Sequence, residues 1–95
     1  MTSMFTVVIM GDRLVIDLHA PAPSYLQLAA QLRDRRHAGR IGPREALPSI
    51  TQLTGETGLA VNTVRHAIAV LVDEGYAYTV PGRGTFAAEK LPDEG

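Results

Sequence analysis

The 95-residue chain contains no cysteine. Disulfides are therefore excluded, and so is a zinc site built from thiolates. No apolar run approaches the roughly 20 residues that a membrane-spanning helix needs. Residues 4–10 are apolar, but no basic stretch precedes them and no small-residue cleavage site closes them, so no targeting signal is implied. A soluble, cytoplasmic protein is expected. The sequence also lacks a nucleophile–base arrangement, a phosphate loop, and any metal-ligand spacing among His19, His37 and His66. Gly82-Arg83-Gly84 is only a fragment of a nucleotide fingerprint. These gaps argue against an enzyme and imply no cofactor and no metal. A basic surplus is missing too: the net charge is −1, whereas a nucleic-acid-binding domain usually carries an excess of Lys and Arg. The distribution softens that objection. Asp12, Asp17, Asp93 and Glu94 lie near the ends, and residues 24–90 hold eight Lys/Arg against six Asp/Glu.

What is present suits one small domain. An apolar fraction of 45 % is that of a globular protein and excludes disorder throughout. Residues 6–10 and 14–18 are rich in β-branched residues and flank Gly11-Asp12, which predicts a strand pair with a glycine turn. Both faces of that pair are apolar, and an isolated hairpin is marginal in water. It should therefore pack on the rest of the domain or on a second copy. Ala20-Pro21-Ala22-Pro23 reads as a stiff, extended linker. Ser24 then opens a first helix, with Gln27 at capping-box spacing. Tyr25, Leu28, Ala29 and Leu32 recur at helical intervals as its buried stripe. Arg33, Arg35, Arg36 and His37 crowd the last turn, where cations suit the helix dipole. They read first as a solvated helix end and second as phosphate contacts. Gly39 ends the helix.

Residues 47–86 organise the chain. Pro48-Ser49 begins a short second helix, with Ser49 and Gln52 again at capping-box spacing, Leu53 as its anchor and Gly58 as its left-handed stop. A third helix is predicted over 61–74. Its stripe is Val61, Val64, Ala67, Ile68, Leu71 and Val72, and the opposite side near its start carries Asn62, Thr63, Arg65 and His66. Two helices joined by a tight glycine turn form a helix-turn-helix, whose second helix carries base contacts near its N-terminus. Residues 76–80 and 85–88 flank Pro81-Gly82-Arg83-Gly84, which is turn chemistry, and the resulting hairpin would be a wing. The expected fold is mainly α with a small β component (α+β). It is a winged helix-turn-helix of three helices and a C-terminal β-hairpin wing, with an N-terminal strand pair. The expected division is 1–19 strand segment, 20–89 DNA-binding domain and 90–95 disordered tail.

From residue 23 to residue 86 the chain resembles the DNA-binding domain of the GntR family of bacterial transcription regulators. The matching words are Pro23-x-Tyr25-x-Gln27-Leu28-Ala29-x-Gln31-Leu32-Arg33, Leu47-Pro48-Ser49, Asn62-Thr63-Val64-Arg65-x-Ala67, Leu71-x-x-Glu74-Gly75 and Pro81-Gly82-Arg83-Gly84-Thr85-Phe86. The resemblance implies a sequence-specific transcriptional regulator, read as a repressor, that binds a pseudo-palindromic double-stranded operator as a homodimer. By that resemblance Asn62, Thr63 and Arg65 match recognition-helix positions facing the major groove, and Gly82 and Arg83 match a wing tip approaching the minor groove. His66, on the same polar side, and Ser49, at the start of the second helix, complete the candidate DNA-contact set.

Three positions depart from the family pattern. Ala60 stands where Ser or Thr is usual, Val61 where Arg is frequent, and Thr51 where Arg or Lys is frequent. Val61 reads either as a contact to a thymine methyl or as core. Family members generally continue into a ligand-sensing or dimerising domain, whereas this sequence stops just after the wing. No small-molecule effector is therefore implied, and the N-terminal segment becomes the candidate for dimerisation. The rival expectation is a winged-helix protein-interaction module with little or no DNA binding. Near-neutral charge and the three departures favour it; the retained Asn62, Thr63, Arg65 and Arg83 oppose it.

Overall fold

The protein is described by a computed structural model covering residues 14–92. Its elements run α1 (Ser24–His37), α2 (Ile50–Thr57), α3 (Val61–Asp73), β1 (Ala77–Val80) and β2 (Gly84–Ala87). Three helices and a two-stranded antiparallel hairpin are thus present in the expected order. The core gathers one stripe from each helix. Leu28 and Leu32 of α1, Leu53 of α2, and Val64 and Leu71 of α3 are its largest fully buried side chains. Each contributes about 1.5–3 kcal/mol of burial.

The start of α1 differs from the expected capping box. Pro23 is the N-cap and no side chain caps the helix. The amide of Gln27 is engaged elsewhere: its Oε1 accepts from the Asp17 N–H at 2.8 Å, and its Nε2 donates to the carbonyls of Asp17 and Ala22 at 2.9 and 2.7 Å. Gln31, one turn on, accepts from the Val15 N–H at 2.8 Å and donates to the Val15 carbonyl at 2.6 Å. Side chains at i and i+4 of a helix lie about 6 Å apart, close to the separation of residues i and i+2 in an extended chain. The two glutamines therefore act as two rungs of a ladder for Val15 and Asp17. This corrects the expected second strand at 14–18. The segment is extended but pairs with side chains of α1, and it turns at Leu18 and His19. Leu14 and Ile16 pack against the core. The partner strand expected at 6–10 lies outside the described residues.

α2 starts as the sequence predicts. Ser49 Oγ accepts from the Gln52 N–H at 3.0 Å, and Gln52 Oε1 accepts from the Ser49 N–H at 2.9 Å. Gly58 closes the helix at φ 74°, donating its N–H to the Thr54 carbonyl at 2.8 Å. Two more residues lead into α3. Of the six residues expected in the α3 stripe, Val64, Ala67, Ile68 and Leu71 are buried and Val72 is half-buried, but Val61 is 46 % exposed.

In the hairpin Ala77 pairs with Ala87, Tyr78 with Phe86, Thr79 with Thr85 and Val80 with Gly84. The Arg83 N–H closes the turn on the Val80 carbonyl at 2.9 Å, and Gly82 and Gly84 supply the positive φ angles, 77° and 120°. Residues 44–47, expected as loop, run along β2. Arg44 N–H donates to the Ala87 carbonyl (2.9 Å), Ala87 N–H to Glu45 (2.8 Å) and Leu47 N–H to Thr85 (2.9 Å). The wing is thereby tied to the chain that leads directly into α2. Past β2, Leu91 is buried and the Pro92 ring lies against Gly75. Chain expected to be a disordered tail from residue 90 is thus docked through residue 92.

Candidate nucleic-acid interface

The cations at the end of α1 are held within the fold. Arg33 Nη1 reaches Glu74 Oε1 at 2.7 Å, with its guanidinium 5.6 Å over the Tyr76 ring. Arg36 donates from Nη2 to the carbonyls of Ala88 (3.2 Å) and Glu89 (3.0 Å). His37 Nε2 lies 3.2 Å from the Tyr76 hydroxyl. These three side chains clamp α1 to the corner after α3 and to the exit from β2. They are neither a solvated helix end nor a ready phosphate site, the two alternatives left open by the sequence.

Arg65 and Arg83 are placed differently. Both are exposed, and neither guanidinium makes a hydrogen bond or ion pair among the described residues. Arg65 sits on the second turn of α3 and Arg83 at the wing tip. Between helix and wing lies an open cleft of about 380 Å³. Arg65, Ala69 and Val72 form one wall, Thr79 and Thr85 the other, and Ile50 one end. The threonine hydroxyls are 3.5 Å apart across the hairpin. They lie on the same strand face as buried Ala77 and Ala87, so this face runs from core to cleft with a period of two. The same alternation in the sequence, Ala77-x-Thr79 and Thr85-x-Ala87, is the signal that points to these two threonines.

The seven candidate residues separate into groups. Asn62 is exposed and, with Arg65 and Ala69, falls on the i, i+3, i+7 row directed away from the core. Thr63 is half-buried and shares a row with His66 on the α1 side. The His66 ring is stacked on Tyr25, with centroids 3.7 Å apart and planes 7° from parallel. One face of that imidazole is thus covered by α1, and the residue is directed away from the cleft. Ser49 is exposed at the start of α2; its oxygen caps the helix, while its O–H proton remains free to donate. Gly82 and Arg83 form the wing tip beyond the cleft.

A helix-turn-helix, a hairpin wing and a cleft between them lined by the unpaired guanidinium of Arg65 define a winged helix-turn-helix protein. The model for bacterial regulatory proteins of the gntR family matches residues 24–87, more than half of the chain, and the chain belongs to that family. The HTH-type transcriptional repressor NagR of Bacillus subtilis is 36 % identical over 74 residues, 78 % of this chain and 30 % of NagR. The chain spans less than a third of the length of the first curated relatives it matches. Among solved structures, YtrA from Sulfolobus acidocaldarius, a GntR-family transcription factor, superposes with a TM-score of 0.76 at 32 % identity, covering 85 % of each chain. AraR(DBD) in complex with operator ORX1 superposes with a TM-score of 0.73 at 31 % identity, covering 80 % of this chain and 98 % of that one.

Proposed function

We propose that this chain is a sequence-specific, DNA-binding transcriptional repressor that acts in the cytoplasm as a homodimer on a pseudo-palindromic operator. The observation that carries the reading is the pair of exposed arginines with unpaired guanidiniums, Arg65 on the cleft wall of the recognition helix and Arg83 at the wing tip beyond it. α3 enters the major groove with Asn62 and Arg65 toward the base edges. Thr63, Ser49 and the cleft threonines Thr79 and Thr85 supply hydroxyls for phosphate oxygens. The wing tip, Gly82 and Arg83, approaches the adjacent minor groove. His66 acts mainly by holding α1 to the recognition helix through Tyr25, and a DNA contact is left to its exposed edge. The superposition on AraR(DBD), which is bound to its operator, and the repressor name of NagR support this reading. No small-molecule effector is required by it.

Footprinting of genomic DNA with purified protein tests the proposal. The expected result is a protected pseudo-palindrome whose affinity falls steeply with salt as counterions are released. A net charge of −1 favours the second reading, a protein-interaction module. Absence of any footprint, together with equally weak binding to random duplex at low and high salt, would support that reading instead.

A further inference from the structure

Resting on the operator-binding reading, we propose that Val61 is a base-reading residue that selects a thymine in each half-site through its 5-methyl group. Among the described residues the exposed large hydrophobic side chains are Val15, Leu18, Leu26, Val61 and Tyr78, and of these Val61 belongs to α3. It is the first residue of the helix, 46 % exposed, while the buried stripe begins one turn later at Val64. Core packing therefore does not account for it. Its i+4 neighbour on the same face is Arg65, and exposed Asn62 follows it directly. The preceding Ala60 presents only a methyl and makes no side-chain cap. Among the described residues Val61 is thus left open at the N-terminal end of α3.

The chemistry narrows what such a residue can read. Valine has no hydrogen-bonding group, so it cannot satisfy guanine O6 and N7, adenine N6 and N7, or the cytosine amino group. The thymine methyl is the apolar feature in the major-groove code, and contact with it is a known use of small apolar side chains. A β-branched side chain in a helix has one strongly preferred χ1, so the methyls of Val61 are held in place before DNA arrives. The half-site is thus read by a rigid apolar contact from Val61 beside a charged donor from Arg65.

The test replaces each thymine of the footprinted operator in turn by deoxyuridine, which removes only the methyl. Wild-type protein should lose about fourfold in affinity at one thymine per half-site, the value of one buried methyl group. Val61→Ala, at an exposed helical position, should fold normally and bind the intact operator more weakly, and the same deoxyuridine should then cost it little. Cytosine at that position should bind better when 5-methylated, for the wild type only. If the operator is bound and Arg65→Ala relaxes its base preference, but no thymine shows a methyl dependence that Val61→Ala removes, the Val61 assignment fails while DNA binding stands. If no operator is bound, both fall together.

Discussion

The protein uses arginine in two opposite ways at the two ends of its helical layer. Where α1 finishes, Arg33 and Arg36 are engaged by a carboxylate and by backbone carbonyls. Near the start of α3 and at the wing tip, the guanidiniums of Arg65 and Arg83 have no hydrogen-bond or ion-pair partner among the described residues. A guanidinium already bonded within the fold must give up those bonds to meet a phosphate or a base. An unpaired one gives up only water. Net charge cannot distinguish the two groups, which is why a value of −1 weighs little against DNA binding. Which arginines remain open is the informative quantity.

The largest expected effect tests the open group. Arg65→Ala should weaken specific operator binding by about 1–3 kcal/mol, the value of a bidentate guanine contact. Preference at one defined base pair should relax. The thermal midpoint should hardly move, because Arg65 lies off the buried stripe. Fluorescence anisotropy with a half-site series measures this. Unchanged operator affinity in a well-folded variant would leave the contrast between the two groups without functional content.

The engaged group should respond in the opposite manner. Arg36→Ala removes the partner of the Ala88 and Glu89 carbonyls and loosens the tie between α1 and the chain leaving β2. Hydrogen bonds to a charged group contribute about 1.5–3 kcal/mol, and partial exposure of this site reduces the expected cost to about 1–2 kcal/mol. Urea denaturation should show a lower midpoint with an unaltered m-value, while base preference stays the same at temperatures where the variant is folded. A variant of full stability with weakened DNA binding would move Arg36 into the contact set.

Much of this contrast was legible in the sequence, and the remainder has a common physical cause. The two helices of the reader, the Ser49–Gln52 capping box, the Gly58 stop and the turn at Gly82-Arg83-Gly84 are local patterns, and each appears where the spacing predicts. The same local patterns put Arg65 on the polar side of α3 and Arg83 at the turn, and both are exposed. The structure departs from local expectation at side chains whose partners are distant in sequence. Spacing pairs Gln27 with Ser24, three residues away, yet it bonds Asp17, ten residues away. Arg36 bonds residues more than fifty positions downstream. The helical spacing places His66 on the polar, DNA-contacting side of α3, yet its ring is stacked on Tyr25 of another helix. The edge formed by residues 44–47 along β2 has no two-residue alternation to announce it. Val61 fits the stripe by spacing but lies one turn before the core begins. Local propensity carries no information on what another element will place alongside.

A smaller effect is expected at the wing. Arg83 sits between Gly82 and Gly84, so the backbone there can approach DNA closely. A narrow minor groove carries an enhanced negative potential that attracts arginine. Arg83→Ala should lower affinity, reduce the slope of log affinity against log salt by about one, and remove most of the preference for A·T-rich flanks. Half-site preference should persist. Binding series that vary flank and half-site separately, at matched salt, make the distinction. Loss of half-site preference with flank preference intact would place the wing elsewhere than the minor groove.

The smallest effect belongs to Arg33 and Glu74, and its asymmetry is the sharpest check on the engaged group. The pair is short, 2.7 Å, but its side chains are 29 % and 45 % exposed, and exposed pairs typically contribute about 0.2–1 kcal/mol. Glu74 is also the C-cap of α3, where the helix dipole disfavours a carboxylate. Removing Glu74 therefore loses the pair and relieves that repulsion, and Glu74→Gln should be nearly neutral. Arg33→Ala loses the pair, leaves the carboxylate unopposed and forfeits the cation–π contact with Tyr76, worth about 0.5–1 kcal/mol at an exposed site. It should be clearly the costlier of the two. Added salt should narrow the difference, because the ionic part is screened within about 10 Å at 0.1 M. A double-mutant cycle followed by thermal denaturation reads all of this. Equal costs for the two single variants would mean that the stack on Tyr76 contributes nothing, and that Arg33 is held to the fold by a weak surface pair alone. It would then be nearly as available to DNA as Arg65.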